Sequence, residues 1–420
     1  MNKFGRVYIY SFKQKLFIVF LLAPFIFPTG LQYSSQFSFF YSKVLYYWRI
    51  LDCGLCMSLF FIRLYRNKIT RTSLLLFLCI LSLLLSTIIK GASFTSFLTT
   101  WGGFFCFYVG AETFIKEKPL VFISALEIWL YFVVIVNLIT MVLYPNGMPL
   151  DRLVIINQDS KYTWFWGFKN TICNLLIPFL TFVFTNSYIS GKRMLCKRNL
   201  IAMLLSLITG LLSNSGTLGI VIILFVIFVF LYRFKIVRSV VNPKTMAVAG
   251  VVISVLIVFF NIQYLFSWLI VGVLGKDITL TQRTIIWMQA IADIRQSPLW
   301  GYGVQSSTTF GLLRFSNSSN HCHNAILTLA YQGGILAVVT YGVFFFYSLY
   351  SNKSSMDLKK VYSNNESNSY DYLLGVILLL QMIIHITGSI SGVCTFILLL
   401  IISSSDRIIR LANEKNEITS

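Results

Sequence analysis

Charge is scarce in this chain. Charged residues make up 11% of its 420 positions and only 14 are acidic, against 38 Phe and 22 Tyr. That shortage excludes a water-soluble domain of this length. The apolar runs do not alternate with polar residues, which excludes an outer-membrane barrel. No glycine loop followed by Lys-Ser or Lys-Thr is present, so the chain is not expected to be an ATP-driven pump. The eight cysteines lie mostly in or beside apolar runs rather than in a disulfide framework. Cys322 stands between His321 and His323, but adjacent donors converge poorly on one ion and no acidic cluster is nearby, so no metal is expected. A removed signal peptide is not expected either: the first apolar run, with Pro24 and Pro28, lacks a small-residue cleavage site after it.

Apolar sequence is what the chain has, at 57%. Several runs can cross a hydrocarbon core of roughly 30 Å. Backbone groups in lipid must be satisfied within their own segment, so these runs are helices. The fold class is therefore all-α, a polytopic integral membrane protein with about twelve transmembrane helices in one membrane domain over 1–420. The expected spans are 17–34, 42–62, 71–89, 96–111, 119–142, 171–189, 199–214, 216–232, 245–262, 324–350, 371–389 and 391–405. The pair 199–214 and 216–232 reads as a helical hairpin or as one broken re-entrant element.

Placing the N-terminus in the cytoplasm puts most of the 34 basic residues on that side, at Lys13, Lys15, Arg63, Arg66, Arg193, Arg198, Arg407 and Arg410 among others. This positive-inside pattern makes both termini cytoplasmic. The formal charge of +20 is then mostly topological, with some attraction to anionic membrane lipids. The basic residues are divided among short loops, so no nucleic-acid partner is expected.

Two outward segments follow, an outer loop at 143–168 and a large one at 263–323 between spans nine and ten. Within the second, 279–297 reads as an amphipathic helix that Thr279 or Thr281 caps and Pro298 stops. Arg283 and Trp287 share a face of it, at i and i+4. An arginine fork matches diphosphate oxygens, whereas a solvated face is the bland alternative. His323 is either an interfacial anchor or a general base that takes a proton from a hydroxyl near neutral pH. Asn324 either orients substrate or caps the next helix. Lys169, beside Asn170, either snorkels or binds. Arg49 and Asp52 pair with each other or serve a site within the membrane, as Glu127 does. His385 reads as an interhelical hydrogen-bond partner.

Taken together, the order of these features resembles the O-antigen ligase and O-antigen polymerase superfamily, membrane glycosyltransferases of surface polysaccharide assembly. The resemblance rests on Arg283 and Trp287, on the turn Pro298, Leu299, Gly301, Tyr302 and Gly303, and on His323-Asn324 followed by Gly333 and Gly334. Gly167-Phe168-Lys169-Asn170 is similar to the patch that opens a middle span in that group. Ser213-Asn214-Ser215-Gly216 stands where many relatives have a Ser-Arg-Gly-like turn, here without the arginine; that diphosphate contact is either missing or supplied from elsewhere, by Lys169, Arg314 or Arg49.

The resemblance implies inverting transfer from a polyprenyl-diphosphate-linked oligosaccharide to an acceptor hydroxyl, outside a bacterial cytoplasmic membrane, without cofactor or metal. Arg283 would hold the diphosphate and His323 would act as base. Tyr302, Trp287 and the pair Trp164 and Trp166 would face sugar rings. A repeat-unit polymerase is favoured over a ligase, with a flippase and a chain-length regulator as protein partners. The rival reading is a lipid-linked oligosaccharide flippase or other carrier, using Arg49, Asp52, Glu127 and His385 near the midplane.

Overall fold

A computed structural model describes residues 3–151, 162–260, 262–268, 272, 283–305, 322–350, 365–388 and 393–419. Arg314, His321 and the expected helix start at 279–282 lie outside them. The principal helices are α1 (Lys3–Leu22), α2 (Leu45–Tyr65), α3 (Arg71–Ile89), α4 (Gly103–Glu117), α5 (Pro119–Leu143), α6 (Cys173–Ile189), α7 (Lys197–Leu212), α8 (Gly216–Leu231), α9 (Pro243–Phe260), α10 (Arg283–Gln296), α11 (Ala325–Tyr350), α12 (Asn365–Thr387), α13 (Cys394–Ser403) and α14 (Ser405–Thr419).

Among the described residues, seven helices are long and apolar enough to cross a membrane, against the twelve expected. Four of the rest, α4, α7, α8 and α13, have 15, 16, 16 and 10 residues, short of the ~20 a crossing needs. The fifth, α1, carries Lys3, Arg6, Lys13 and Lys15.

Helix α13 is apolar all round, and a helix of that kind must be buried. Every residue from Cys394 to Ile402 is buried, against α4, α6 and α11. Pairs α3–α11, α9–α12, α5–α6 and α2–α4 pack around this centre. Helices α7 and α8 form a hairpin. Asn214 makes its turn with φ 53°. Ser215 meets the start of α6 through Asn170, while Phe228, far along α8, accepts from Tyr372 at the start of α12.

Two of the buried carboxylates, Glu112 and Glu127, meet donors. Glu112 accepts from Arg63 (3.3 Å), Thr70 (2.5 Å), Thr72 (3.2 Å) and Ser73 (2.6 Å) and pairs with Lys116. Thr70 also caps α3 by accepting from the Ser73 amide. Glu127 takes Asn186 and Arg198. The expected alternative of an Arg49–Asp52 pair is not what forms. Arg49 donates twice to the Pro24 carbonyl, at 3.1 and 2.7 Å, where α1 gives way to a 3₁₀ turn and frees that oxygen. Asp52 is fully buried and neither of its oxygens has a partner among the described residues.

One feature of α11 positions the site. The helix breaks at Gly334, where φ is 62° and ψ is −161°, a region open essentially to glycine alone. A break inside a span frees backbone groups that lipid cannot satisfy. The turn after α10 satisfies them. Tyr302 and Gly303 donate to the carbonyls of Tyr331 and Gln332 at 2.8 and 2.9 Å, and Ile335 donates to Pro298 at 2.8 Å. Gly301, with φ 65°, lies so close to Tyr331 that a Cβ would overlap its carbonyl. From α3, Ser86 donates to the Trp300 and Gln332 carbonyls, and Thr87 accepts from the Val304 amide. The Pro-Leu-Trp-Gly-Tyr-Gly sequence is thus a backbone plug for a broken helix.

Candidate functional site

The plug ties α10 to the first half of α11, and the candidate residues sit where the two meet. Trp287 is buried among Ala290, Cys322, Leu327, Tyr331 and Ile386. Its indole N–H points to the main-chain carbonyl of His323 at 3.4 Å. Arg283, one turn earlier, is only partly exposed. It has no hydrogen-bond or ion-pair partner among the described residues, and burial lowers its pKa from the ordinary arginine value. A desolvated guanidinium without a counter-anion is unfavourable for the isolated protein and favourable for one that receives an anion.

His323 is half-buried and adopts a left-handed backbone with φ 49°. Outside glycine that conformation is uncommon and clusters at functional sites, at about 1–3 kcal/mol. Asn324 takes the capping role the sequence allowed. Its Oδ1 accepts from the Leu327 amide at 3.0 Å, and its Nδ2 donates to the Ile386 carbonyl at 3.3 Å. This latch fixes the start of α11 against the end of α12 and so holds the residue before it. Cys322 is fully buried, and burial pushes its thiol up to about 12. Tyr302 donates to the Asp293 carbonyl at 3.0 Å and stacks on Tyr331 with centroids 4.9 Å apart.

A second group forms at the start of α6. Ser215 donates to Asn170 at 3.3 Å, and Ser213 accepts from the Ser215 amide while donating to the Gly210 carbonyl. Gly216 opens α8 beside them. Lys169 is buried with its ammonium 5.1 Å from the Tyr162 ring centre. The patch Gly167–Asn170 and the turn Ser213–Gly216 are therefore one cluster. Arg49 lies apart from it on the Pro24 carbonyl. Trp164 is fully buried and donates to the Tyr144 carbonyl, and Trp166 donates to the Thr171 carbonyl, both at 2.8 Å, so both indoles bind the fold together.

Between the two groups the structure adds residues that the sequence reading passed over. Cys394 approaches Asn174 at 3.1 Å, and Thr395 lies 2.9 Å from His385. Gln381 lies 2.8 Å from the same imidazole nitrogen. Their signal was present: Asn174, Gln381 and Thr395 are polar residues within apolar runs. Helix-to-helix proximity, which gives them meaning, leaves no trace in local spacing.

Residues 200–342 match the O-antigen ligase family model. The O-antigen ligase match covers roughly a third of the chain. It runs from α7 into α11 and includes Ser213, Ser215, Gly216, Arg283, Trp287, Tyr302, His323 and Asn324. Lys169, Asn170, His385 and Arg49 lie outside it. No curated protein matches the chain. Together, the match and the all-α membrane-spanning fold support a polysaccharide-related membrane enzyme of the O-antigen ligase and polymerase superfamily.

Proposed function

We propose that this protein transfers glycan from a polyprenyl diphosphate to an acceptor hydroxyl, with inversion, on the outer face of the cytoplasmic membrane. The observation that carries the proposal is Arg283, a desolvated cation without a counter-charge among the described residues, one helical turn from the Trp287 that reaches His323. Arg283 holds the diphosphate through its planar fork and stabilises the charge that grows as the sugar–phosphate bond breaks. His323 takes the proton of the attacking hydroxyl. The diphosphate is already an activated leaving group. The hydroxyl oxygen attacks opposite it, a glycosidic bond forms, the electron pair of the broken bond leaves with the diphosphate, and the anomeric centre inverts. Lipid-linked repeat units serve as both donor and acceptor in this reading, which makes the product a polymer.

The description of the matched family favours a second reading, a ligase that passes a finished chain to a different acceptor. Orientation rests on the positive-inside pattern, which places both termini in the cytoplasm and the His323 end of the bundle outside.

Reconstitution with a lipid-diphosphate-linked repeat unit, without ATP or divalent metal, tests the proposal. A polymerase yields a ladder of lengths still attached to lipid, and a ligase yields one transfer to a foreign acceptor. Translocated but chemically unchanged donor, with Arg283 and His323 both dispensable, would remove the enzymatic reading in favour of a carrier.

A further inference from the structure

Gln381, near the end of α12, is 1% exposed, and one end of its amide has no partner among the described residues. Its Nε2 lies 2.8 Å from His385 Nε2 and 3.3 Å from Thr395 Oγ1, which leaves Oε1 over. Turning the amide by half a rotation exchanges the ends without curing the deficit, because Nε2 then takes the unpartnered place. A side chain with two donors and a two-lone-pair acceptor is under-used in either setting. A buried polar group in that state calls for an explanation.

Location supplies one. The residue after His385 is Ile386, whose carbonyl receives Asn324 and thereby fixes the start of α11 beside His323. On the other side, Thr395 and Cys394 open α13, Cys394 approaches Asn174, and Asn170 one turn earlier accepts from Ser215. His385 is only half-buried, so part of its surface stays accessible. The whole track from Asn324 to Ser215 is built of neutral donors and acceptors. The nearest charge in sequence, Lys169, lies over the Tyr162 ring.

We infer that Gln381 and His385 form a subsite for glycan hydroxyls, which holds the acceptor sugar beside His323. A hydroxyl both donates and accepts, so it fits a surface that offers both functions without charge. A diphosphate needs a cation, and the guanidinium of Arg283, without a partner among the described residues, lies on α10, across the His323 junction. A polyprenyl tail needs no polar atom at all. The inference rests on the glycan-transfer reading and assigns the sugar and the diphosphate to different walls of one site. The subsite makes and breaks no covalent bond.

The test uses full-length protein in lipid nanodiscs and two probes, titrated separately. One is a set of short oligosaccharides cut from the surface polysaccharide of the source cell, rich in hydroxyls and free of diphosphate. The other is inorganic pyrophosphate. Gln381→Leu and His385→Ala should each weaken oligosaccharide binding about tenfold, which is about 1.4 kcal/mol, and leave pyrophosphate binding unchanged. Arg283→Ala should do the reverse. Thermal unfolding reports which variants are folded, and Thr395→Val, which alters the same His385 contact, replaces any that is not.

Unchanged oligosaccharide affinity in folded Gln381→Leu, or equal weakening for both probes, overturns the subsite, as does wild-type protein that binds no oligosaccharide. Transfer activity by wild-type protein together with unchanged sugar affinity in the variants removes the subsite alone. Selective loss of sugar affinity in a protein that forms no glycosidic bond upon reconstitution keeps the subsite and removes the transfer reading.

Discussion

The indole N–H of Trp287 lies 3.4 Å from the main-chain carbonyl of His323, across 36 residues of sequence. This contact makes α10 and the start of α11 one unit. Trp287→Phe keeps most of the buried area and removes the donor. The net loss of one hydrogen bond is about 1 kcal/mol, so the unfolding temperature should fall only slightly. Transfer rate should fall more than stability predicts, because the backbone of His323 loses a restraint. Initial rates and melting curves on the same preparation check this.

His323→Ala should reduce transfer by about 10²–10⁴ while the protein stays folded, as loss of a general base does. His323→Gly provides the control. Glycine adopts the φ of 49° without strain, so the variant should melt no lower than His323→Ala and be equally inactive. Activity in either variant near that of the wild type excludes the imidazole as base.

Arg283→Ala should raise the donor KM and lower kcat together, since the cation acts in binding and in bond cleavage. Arg283→Lys should recover part of the loss, keeping charge without the two-pronged geometry. Burial lowers the pKa of Arg283, but a guanidinium keeps its proton throughout the working range. No pH dependence between 6 and 9 should therefore trace to this residue, and pH–rate profiles of wild type and Arg283→Lys check this.

Gly334→Ala should all but abolish folded protein. Its Cβ would overlap the Leu299 carbonyl, and its φ and ψ are barred to alanine, a penalty of about 3 kcal/mol or more. Gly342→Ala lies on the same helix with open space around it and should be neutral. Monodisperse yield after extraction separates the two.

Cys322 should resist alkylation. Burial raises its thiol to about 12, so the reactive thiolate is scarce at pH 7–9 and grows only as pH approaches 12. The sign for stability follows: the contribution of the neutral thiol is complete below the unfolded value near 9 and is lost as pH rises towards 12. Maleimide labelling of native protein at pH 8 should be slow and become fast upon unfolding, so Cys322 is a reporter of opening rather than of topology.

Local patterns carried the reading of α10. The i, i+4 spacing of Arg283 and Trp287 and the stop at Pro298 are features of a single helix, and the helix Arg283–Gln296 carries them. Asn324 as a cap was legible for the same reason, since a cap is made within four residues. The plug was not. Gly301, Gly303 and Gly334 announce unusual backbone, but their pairing joins segments some thirty residues apart in sequence, and no periodicity encodes it. Arg49 shows a different limit. Spacing offered it Asp52, whereas the fold offered a carbonyl freed by the end of α1, and a guanidinium takes whichever acceptor has lost its own donor. Asn170 and Ser215 could be singled out separately; only the antiparallel return of α7 along α6 brings them together.

The plugged break in α11 also constrains how the chain is made. Synthesis from the N-terminus delivers α3, with Ser86 and Thr87 already in place, long before the turn at 298–304 and α11 emerge. Until that turn docks against α11, the Tyr331 and Gln332 carbonyls and the Ile335 amide have no helical partner, a state that bare lipid penalises by several kcal/mol per group. Insertion of α11 must therefore be completed by three sequence-distant pieces closing together. A chain released before α11 would leave α3 without the helix it packs against most, and Ser86 without the Gln332 carbonyl it meets in the finished fold.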